Sequence, residues 1–219
     1  PFCTGNVMAT NPLWRKTQTQ WLDQIAMWLR RSNAAAVLLA DIFFDFQAVA
    51  GDASLAAPVR ALIAREMPQN RRFLGDMLRH HEHMHSPVGW FGTLRTDKSH
   101  PEHRGKIDLK RHGVQPVVVA ARLLALRDGI EATSTLDRLE GLADAGTIRD
   151  AEGVSEAFLA VCDVLLRAQI ADFGAGTKLS NHVAPATLGR ARRKRLVEAF
   201  RVIDGFADGA RAEISGRVL

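Results

Sequence analysis

Apolar residues recur at the three- and four-residue spacing of an α-helix along most of this chain. Polar capping residues, Gly and Pro separate these stretches, and few segments alternate as strands do. The sequence therefore predicts an all-α fold, a helical bundle of about eight helices. The first helical stretch, residues 12–31, aligns five apolar side chains along one stripe: Trp14, Trp21, Ile25, Trp28 and Leu29.

One segment, residues 88–113, breaks the helical period. It is rich in Gly and His, and two short pieces of it, residues 90–95 and 106–110, alternate weakly. This texture predicts one inserted β-hairpin or long loop (88–113) between two helical halves.

The amino-acid composition limits the classes of protein to which this chain can belong. The chain has 219 residues, of which 47% are apolar, enough for a sizeable core. A formal net charge of +5 favours phosphate-bearing or acidic partners. Cys3 and Cys162 lie far apart, so no disulfide framework is expected. No apolar run is long enough to cross a membrane. We therefore expect a cytoplasmic protein with no membrane partner.

The stretch RHHEHMHSP, residues 79–87, contains His-Glu-x-x-His, a pattern typical of zinc hydrolases. Pro87 ends this helix two residues after His85, and no third ligand follows at the spacing of the extended motif. A polar helix end, whose histidines border a nucleotide-facing cleft, is the favoured interpretation. A zinc hydrolase built on His81, Glu82 and His85 is kept as an alternative, with His81 and His85 as its candidate metal ligands.

Two segments concentrate positive charge. HRGKIDLKRHG, residues 103–113, surrounds Asp108 with cations and histidines, which is typical both of a phosphate-recognising loop and of a solvated hairpin. RARRKR, residues 190–195, fits a solvated helix face or a contact with phosphate, nucleic acid or an acidic neighbour. No aromatic residues are interleaved for base stacking, so nucleic acid is the less expected partner.

Two carboxylates interrupt an apolar helical stretch. Asp41 and Asp45 are four residues apart, so a continuous helix would place both on one face. Like charges in an apolar segment favour a functional or interface role for this pair.

Four stretches that occur in order along the chain are similar to a known family. They are PFCTGNVMATNPLWR (1–15), IFFDFQAVAGDASL (42–55), the run from GKIDLKRHG to LDRLEGL (105–142), and NHVAPATL (181–188) followed by RLVEAFRVI (195–203). Together they resemble the C-terminal helical domain of signal-transduction nucleotidyltransferases of the DUF294 type. That family is similar to the PII-protein uridylyltransferases and the glutamine synthetase adenylyltransferases, which share an Asp-Leu-Lys…Gly stretch, matched here by Asp108, Leu109, Lys110 and Gly113.

The resemblance implies a domain order. In the family, CBS or cyclic-nucleotide-binding modules and a nucleotidyltransferase domain precede the helical domain. Residues 1–11 are then expected to be the tail of an upstream nucleotidyltransferase domain, and residues 12–219 the helical substrate-binding domain. Catalysis in such enzymes uses a Gly-Ser turn and an Asp-x-Asp pair that holds Mg²⁺, and neither pattern occurs in this sequence.

Under this interpretation the chain has no catalytic residues and binds no cofactor alone, whereas the full-length enzyme uses Mg²⁺ and a nucleoside triphosphate. Expected partners are the upstream domains, nucleotide, an acceptor protein and a second copy of the chain. The alternative from another class is a non-catalytic interaction or dimerisation module, for which exposed residues on the stripe from Trp14 to Trp28 would argue. The expected substrate- or nucleotide-binding residues are Asp41, Asp45, Lys106, Asp108, Lys110, Arg111 and Arg122.

Overall fold

The computed structural model describes residues 10–81, 86–89 and 92–216. It contains two compact units, Pro1–His80 and His81–Leu219. Each unit has its own set of helices, so each is described by itself. No helix among the described residues is long and apolar enough to span a membrane.

Over its described residues, 10–80, the N-terminal unit contains four α-helices. Thr17 begins the first of them with a capping box, in which its hydroxyl accepts a hydrogen bond from the Gln20 amide while the Gln20 side chain accepts one from the Thr17 amide. Asn33 caps the second helix through the Ala36 amide. The four helices are α1 (Gln18–Arg31), α2 (Ala34–Phe43), α3 (Ala57–Glu66) and α4 (Arg71–His80).

An aromatic cluster joins α1 to the end of α2. The rings of Trp21 and Phe43 stack with centroids 4.0 Å apart. The ring of Phe46 also stacks on Phe43, with centroids 4.8 Å apart. Trp28 packs edge-on to Phe43 and is buried. The predicted stripe on residues 12–31 therefore packs inside its own unit, and Trp14 and Trp21 are only half-exposed.

The C-terminal unit is built from four further helices and two short strands. Helix α5 runs from Gln115 to Arg127 and buries nine of its residues, with α6 and α8 packed against it. Ser134 and Asp150 cap α6 and α7 by accepting backbone N–H bonds. The remaining elements are α6 (Thr135–Asp144), α7 (Ala151–Gly174), α8 (Arg190–Ser215), β1 (Ile107–Asp108) and β2 (His182–Val183).

The all-α class with about eight helices and an inserted non-helical segment is confirmed. Residues 88, 89 and 92–109 form a long loop with an isolated bridge between Val88 and Leu94, whereas residues 110–113 already belong to a helix. The strand inside this loop, β1, pairs antiparallel with β2, which lies more than seventy positions further along the chain. Local alternation predicted the strand, but it carried no information on this distant partner.

The helix predicted through Asp45 is wrong in its length. Helix α2 ends at Phe43, and Asp45 lies in the turn that follows, so Asp41 and Asp45 do not share a helix face. The turn closes with a bond from the Phe46 amide to the Phe43 carbonyl, and Phe46 folds back onto the Phe43 ring. Aromatic packing thus overrides the helical spacing of the two carboxylates.

A π-helix, Lys110–Val114, leads from β1 into α5. Gly113 lies where this segment meets α7 and α8, and a Cβ atom built on it would lie 2.6 Å from Val161 Cγ1 and 3.2 Å from Phe200 Cε1. Only glycine allows this close approach without displacing the core. Because π-helical turns occur frequently at functional sites, this segment marks where to look for one.

Candidate functional site

A cleft of about 920 Å³ opens in the C-terminal unit beside β1 and the π-helix. The long loop forms one wall, and the start of the π-helix and β2 form the other. Charged side chains dominate its lining: the cations Arg95, Lys98, Lys106 and Arg111, and the carboxylates Asp97, Glu102 and Asp108. Four of the chain's eight histidines join them: His100, His103, His112 and His182.

Two backbone hydrogen bonds close the long loop on itself. The Asp97 amide donates to the Lys106 carbonyl at 2.8 Å, and the Gly105 amide donates to the Asp97 carbonyl at 3.0 Å. Gly105 has a φ of +75°, in the left-handed region that favours glycine. The closed loop holds Lys106 at the start of β1, where its side chain lines the cleft.

Asp97 and His100 form an ion pair on this loop, with 2.9 Å between Asp97 Oδ2 and His100 Nδ1. Asp97 Oδ1 also accepts hydrogen bonds from the amides of Ser99 and His100. The His100 side chain and these amides lower the pKa of Asp97 from 3.8 to about 2. The same contact raises the pKa of His100, so the proton on this imidazole is stabilised.

His103 and His182 stack face to face, with ring centroids 3.5 Å apart and planes 4° from parallel. The pairing of β1 with β2 sets His182 opposite Asp108, and this pairing fixes the backbone position from which the His182 ring extends. Burial lowers the pKa of His182, and the neighbouring His103 lowers it further, while Asp108 acts in the opposite direction. Burial therefore favours the neutral form of His182 near neutral pH.

Asp108 has a structural contact as well as a place in the lining. Its Oδ1 accepts a hydrogen bond from the Arg111 amide at 3.0 Å, which satisfies a backbone donor at the start of the π-helix. This hydrogen bond involves only the backbone of Arg111 and leaves its side chain out. Among the described residues, neither Lys106 nor Arg111 forms an ion pair, so both cations remain available to an anion.

The cleft brings together three of the seven residues predicted for the binding surface, Lys106, Asp108 and Arg111. Lys110 is exposed on the π-helix and Arg122 is half-buried on α5, and neither lines the cleft. Asp41 and Asp45 belong to the N-terminal unit.

The histidines of the cleft were only partly visible in the sequence. His103 and His112 lie in the basic segment noted there, but His100 and His182 were missed. His182 lies inside NHVAPATL, one of the stretches that carry the family resemblance, and that motif was the signal that could have found it.

The histidines of RHHEHMHSP have a different outcome. His81 is not among the cleft's lining residues, whereas Ser86 and Pro87 are. Glu82 and His85 lie outside the described residues. Within the described ranges, no group of three or more His, Cys, Asp or Glu side chains is arranged to hold a metal ion.

Comparison with protein families gave two matches. Residues 71–214, about two thirds of the chain, match the family described as "putative nucleotidyltransferase substrate binding domain". Residues 1–35 match the family described as "putative nucleotidyltransferase DUF294". Neither the comparison with curated proteins nor the comparison with solved structures gave a match.

Proposed function

The chain belongs to the DUF294 family of nucleotidyltransferase substrate-binding domains, and on this premise we propose that its cleft binds the phosphate groups of the substrate in nucleotidyl transfer. The bound molecule is the nucleoside triphosphate or a phosphate-bearing acceptor, since both present the same anionic group. Residues from the long loop, the π-helix and β2 make the contacts.

The single observation that carries this proposal is the convergence of uncompensated cations on one cleft. Lys106 directly precedes β1 and Arg111 lies at the start of the π-helix that follows it, and neither has an anionic partner among the described residues. An Arg guanidinium and a Lys ammonium are the two side chains that most often bind phosphate oxygens. Arg95 and Lys98 extend the same positive lining along the loop.

The stacked imidazoles supply a second kind of contact. His103 and His182 present a flat pair of rings beside the cations, and an imidazole N–H can donate to a phosphate oxygen. A phosphate near His182 stabilises the imidazolium form, so binding raises the pKa of His182 towards and above its ordinary value. Protonation of His182 then strengthens anion binding, so the cleft binds its anion more tightly at a pH low enough to protonate this ring.

Two of the three carboxylates that line the cleft are already engaged in hydrogen bonds within the chain. Asp97 is held by His100 and two backbone amides, and Asp108 accepts from the Arg111 amide. The proposal therefore assigns substrate binding to this chain and assigns the metal and the transfer step to a nucleotidyltransferase domain. The finer assignment, a PII-uridylyltransferase-like enzyme of signal transduction with CBS modules upstream, is part of this proposal and is supported by the motif order along the chain.

Titration of the ¹⁵N-labelled chain with ATP, UTP and inorganic phosphate tests the proposal. All three are expected to shift the imidazole resonances of His103 and His182, because these rings line the cleft. Lys106→Ala is expected to weaken binding by about tenfold, the equivalent of one charge-assisted hydrogen bond.

Lys110→Ala is the matched control. It removes the same side chain four positions away, outside the cleft lining, and is expected to leave the affinity unchanged. Loss of binding in Lys110→Ala with normal binding in Lys106→Ala would mean that the anion binds on the exposed side of the π-helix and that the cleft is not the site. A response to phosphate but not to ATP or UTP would assign the cleft to the acceptor.

A further inference from the structure

Helix α7 is apolar on two opposite faces. Its inner face buries Val154, Ala157, Val161 and Val164 in the core of the C-terminal unit. Its outer face carries four large apolar side chains that remain open to solvent: Leu159 at 50%, Leu166 at 57%, Ile170 at 60% and Phe173 at 79% exposed. A helix with one buried face normally presents polar residues on the other.

The four outer residues form one continuous stripe. At 100° per residue, their spacings of seven, four and three place them within an arc of about 60°, on the side opposite the buried valines. The stripe spans about 21 Å of helix, close to four turns. Leu166, Ile170 and Phe173 follow the four-then-three spacing by which one helix packs along another. An exposed apolar stripe of this length marks an interaction surface.

One edge of the stripe carries charges of both signs on α7 and lies near basic side chains of α8. Asp163, beside the stripe, pairs with Arg167 through an Nε–Oδ1 contact of 2.8 Å. The pKa of Asp163 is lowered, first by that hydrogen bond and also by the charges of Arg192 and Arg195 on α8. One guanidinium group therefore contacts this carboxylate, and the charges of two more act on it from α8. The whole run of residues 190–195 is exposed and carries five basic side chains, so the positive charge continues along α8.

We propose that the outer face of α7 docks an amphipathic helix with acidic flanking residues, supplied by a partner protein or another domain. The apolar seam of that helix covers Leu159, Leu166, Ile170 and Phe173, and its Glu or Asp residues lie against Arg167, Arg192 and Arg195. A second copy of this chain is a poor occupant, because antiparallel packing of two α7 helices brings two basic edges together. This surface is separate from the phosphate-binding cleft and does not depend on it.

A display library tests the occupant's chemistry. Its members are helical peptides of about 21 residues, three heptads, with Leu at the a and d positions and the flanking e and g positions randomised among Glu, Lys, Gln and Ser. Selection on the folded chain is expected to enrich Glu at the flanks. Enrichment of Lys, or no enrichment of any sequence, would overturn the proposal.

Variants locate the binding on α7. Leu166→Ser with Ile170→Ser is expected to weaken the selected peptides at least about tenfold. Leu136→Ser, which truncates a partly exposed leucine on α6, is the matched control and is expected to have no effect. Arg192→Glu with Arg195→Glu is expected to reverse the selection towards Lys at the flanks. Because all these positions are exposed, unchanged thermal unfolding confirms that each variant folds.

Two further measurements separate the other occupants. Co-sedimentation with vesicles of phosphatidylcholine and phosphatidylserine, in a ratio of about three to one, tests an anionic membrane. Analytical ultracentrifugation of the chain tests a second copy. Vesicle binding that is lost in Leu166→Ser with Ile170→Ser, or a dimer that this variant dissociates, would replace the acidic helix as the occupant.

Discussion

The cleft proposed to bind phosphate and the outer face of α7 are two surfaces of one unit, and they are built in opposite ways. The cleft combines a long loop, a two-residue strand pair and a π-helix, and its lining is ionisable. The α7 face belongs to one regular helix and is apolar. The cleft exists only because segments far apart in the chain meet. The α7 face needs only the helical period of one segment and a core against which the opposite face of the helix packs. The proposed substrate binding therefore depends on contacts between distant segments, and the proposed docking depends on the apolar period of one helix.

The largest expected difference lies between the two sides of α7. Phe200 packs against its inner side and is fully buried, while Phe173 on its outer stripe is mostly exposed. Phe200→Ala is expected to lower the free energy of unfolding by about 3–5 kcal/mol, because it leaves a cavity. Phe173→Ala is expected to change it by less than about 0.5 kcal/mol. Denaturant unfolding of both variants measures this, and a large loss in Phe173→Ala would mean that the stripe is covered within the chain.

A pair of glycines tests the packing that supports the cleft. Gly113→Ala forces a methyl group against Val161 and Phe200, and is expected to destabilise the unit by about 1–3 kcal/mol. It also shifts the π-helix that carries Arg111, so phosphate affinity falls with stability. Gly205→Ala on α8 meets no atom within 4 Å and is expected to stabilise the chain by about 0.5–1 kcal/mol. Equal effects at both positions would contradict the close approach at Gly113.

The Asp97–His100 ion pair gives the cleft loop a pH window. Because the pKa of His100 is raised in the folded state, the pair's contribution is complete below about pH 6.5 and is lost as the pH rises through the raised value. Because the pKa of Asp97 is lowered to about 2, the contribution is also lost as the pH falls from 3.8 through that value. NMR titration of the His100 imidazole measures this, and Asp97→Asn is expected to return its pKa towards 6.5.

The smallest expected effect concerns the stacked histidines. The pKa of His182 lies below 6.5 through burial, so the folded state binds this proton less readily than the unfolded state does. His182 therefore reduces stability as the pH falls below 6.5, and His182→Asn is expected to flatten that part of the stability profile. Thermal unfolding between about pH 5 and pH 8 measures it. An unchanged slope in the variant would show that another group titrates there.

Much of the helical content was predictable, and so was part of the site. Gly129 and Gly146, residues of the type that commonly follows a helix, both adopt positive φ, and α7 ends at Gly174. Asp150, a residue type favoured at helix starts, caps α7. Lys106, Asp108 and Arg111 were found because one short segment contains them all. His182 was not, since its place in the cleft depends on a strand pairing across most of the C-terminal unit.

The sequence by itself determined the helices, their caps, the basic loop and the apolar period on both faces of α7. These features depend on residues within a few positions of one another, so local periodicity and capping chemistry are enough to specify them. The tertiary structure alone decided that β1 pairs with β2, that His103 lies on His182, that α2 ends before Asp45, and which face of α7 stays open. Each of these outcomes depends on packing between residues far apart in the chain, where long-range burial outweighs local preference.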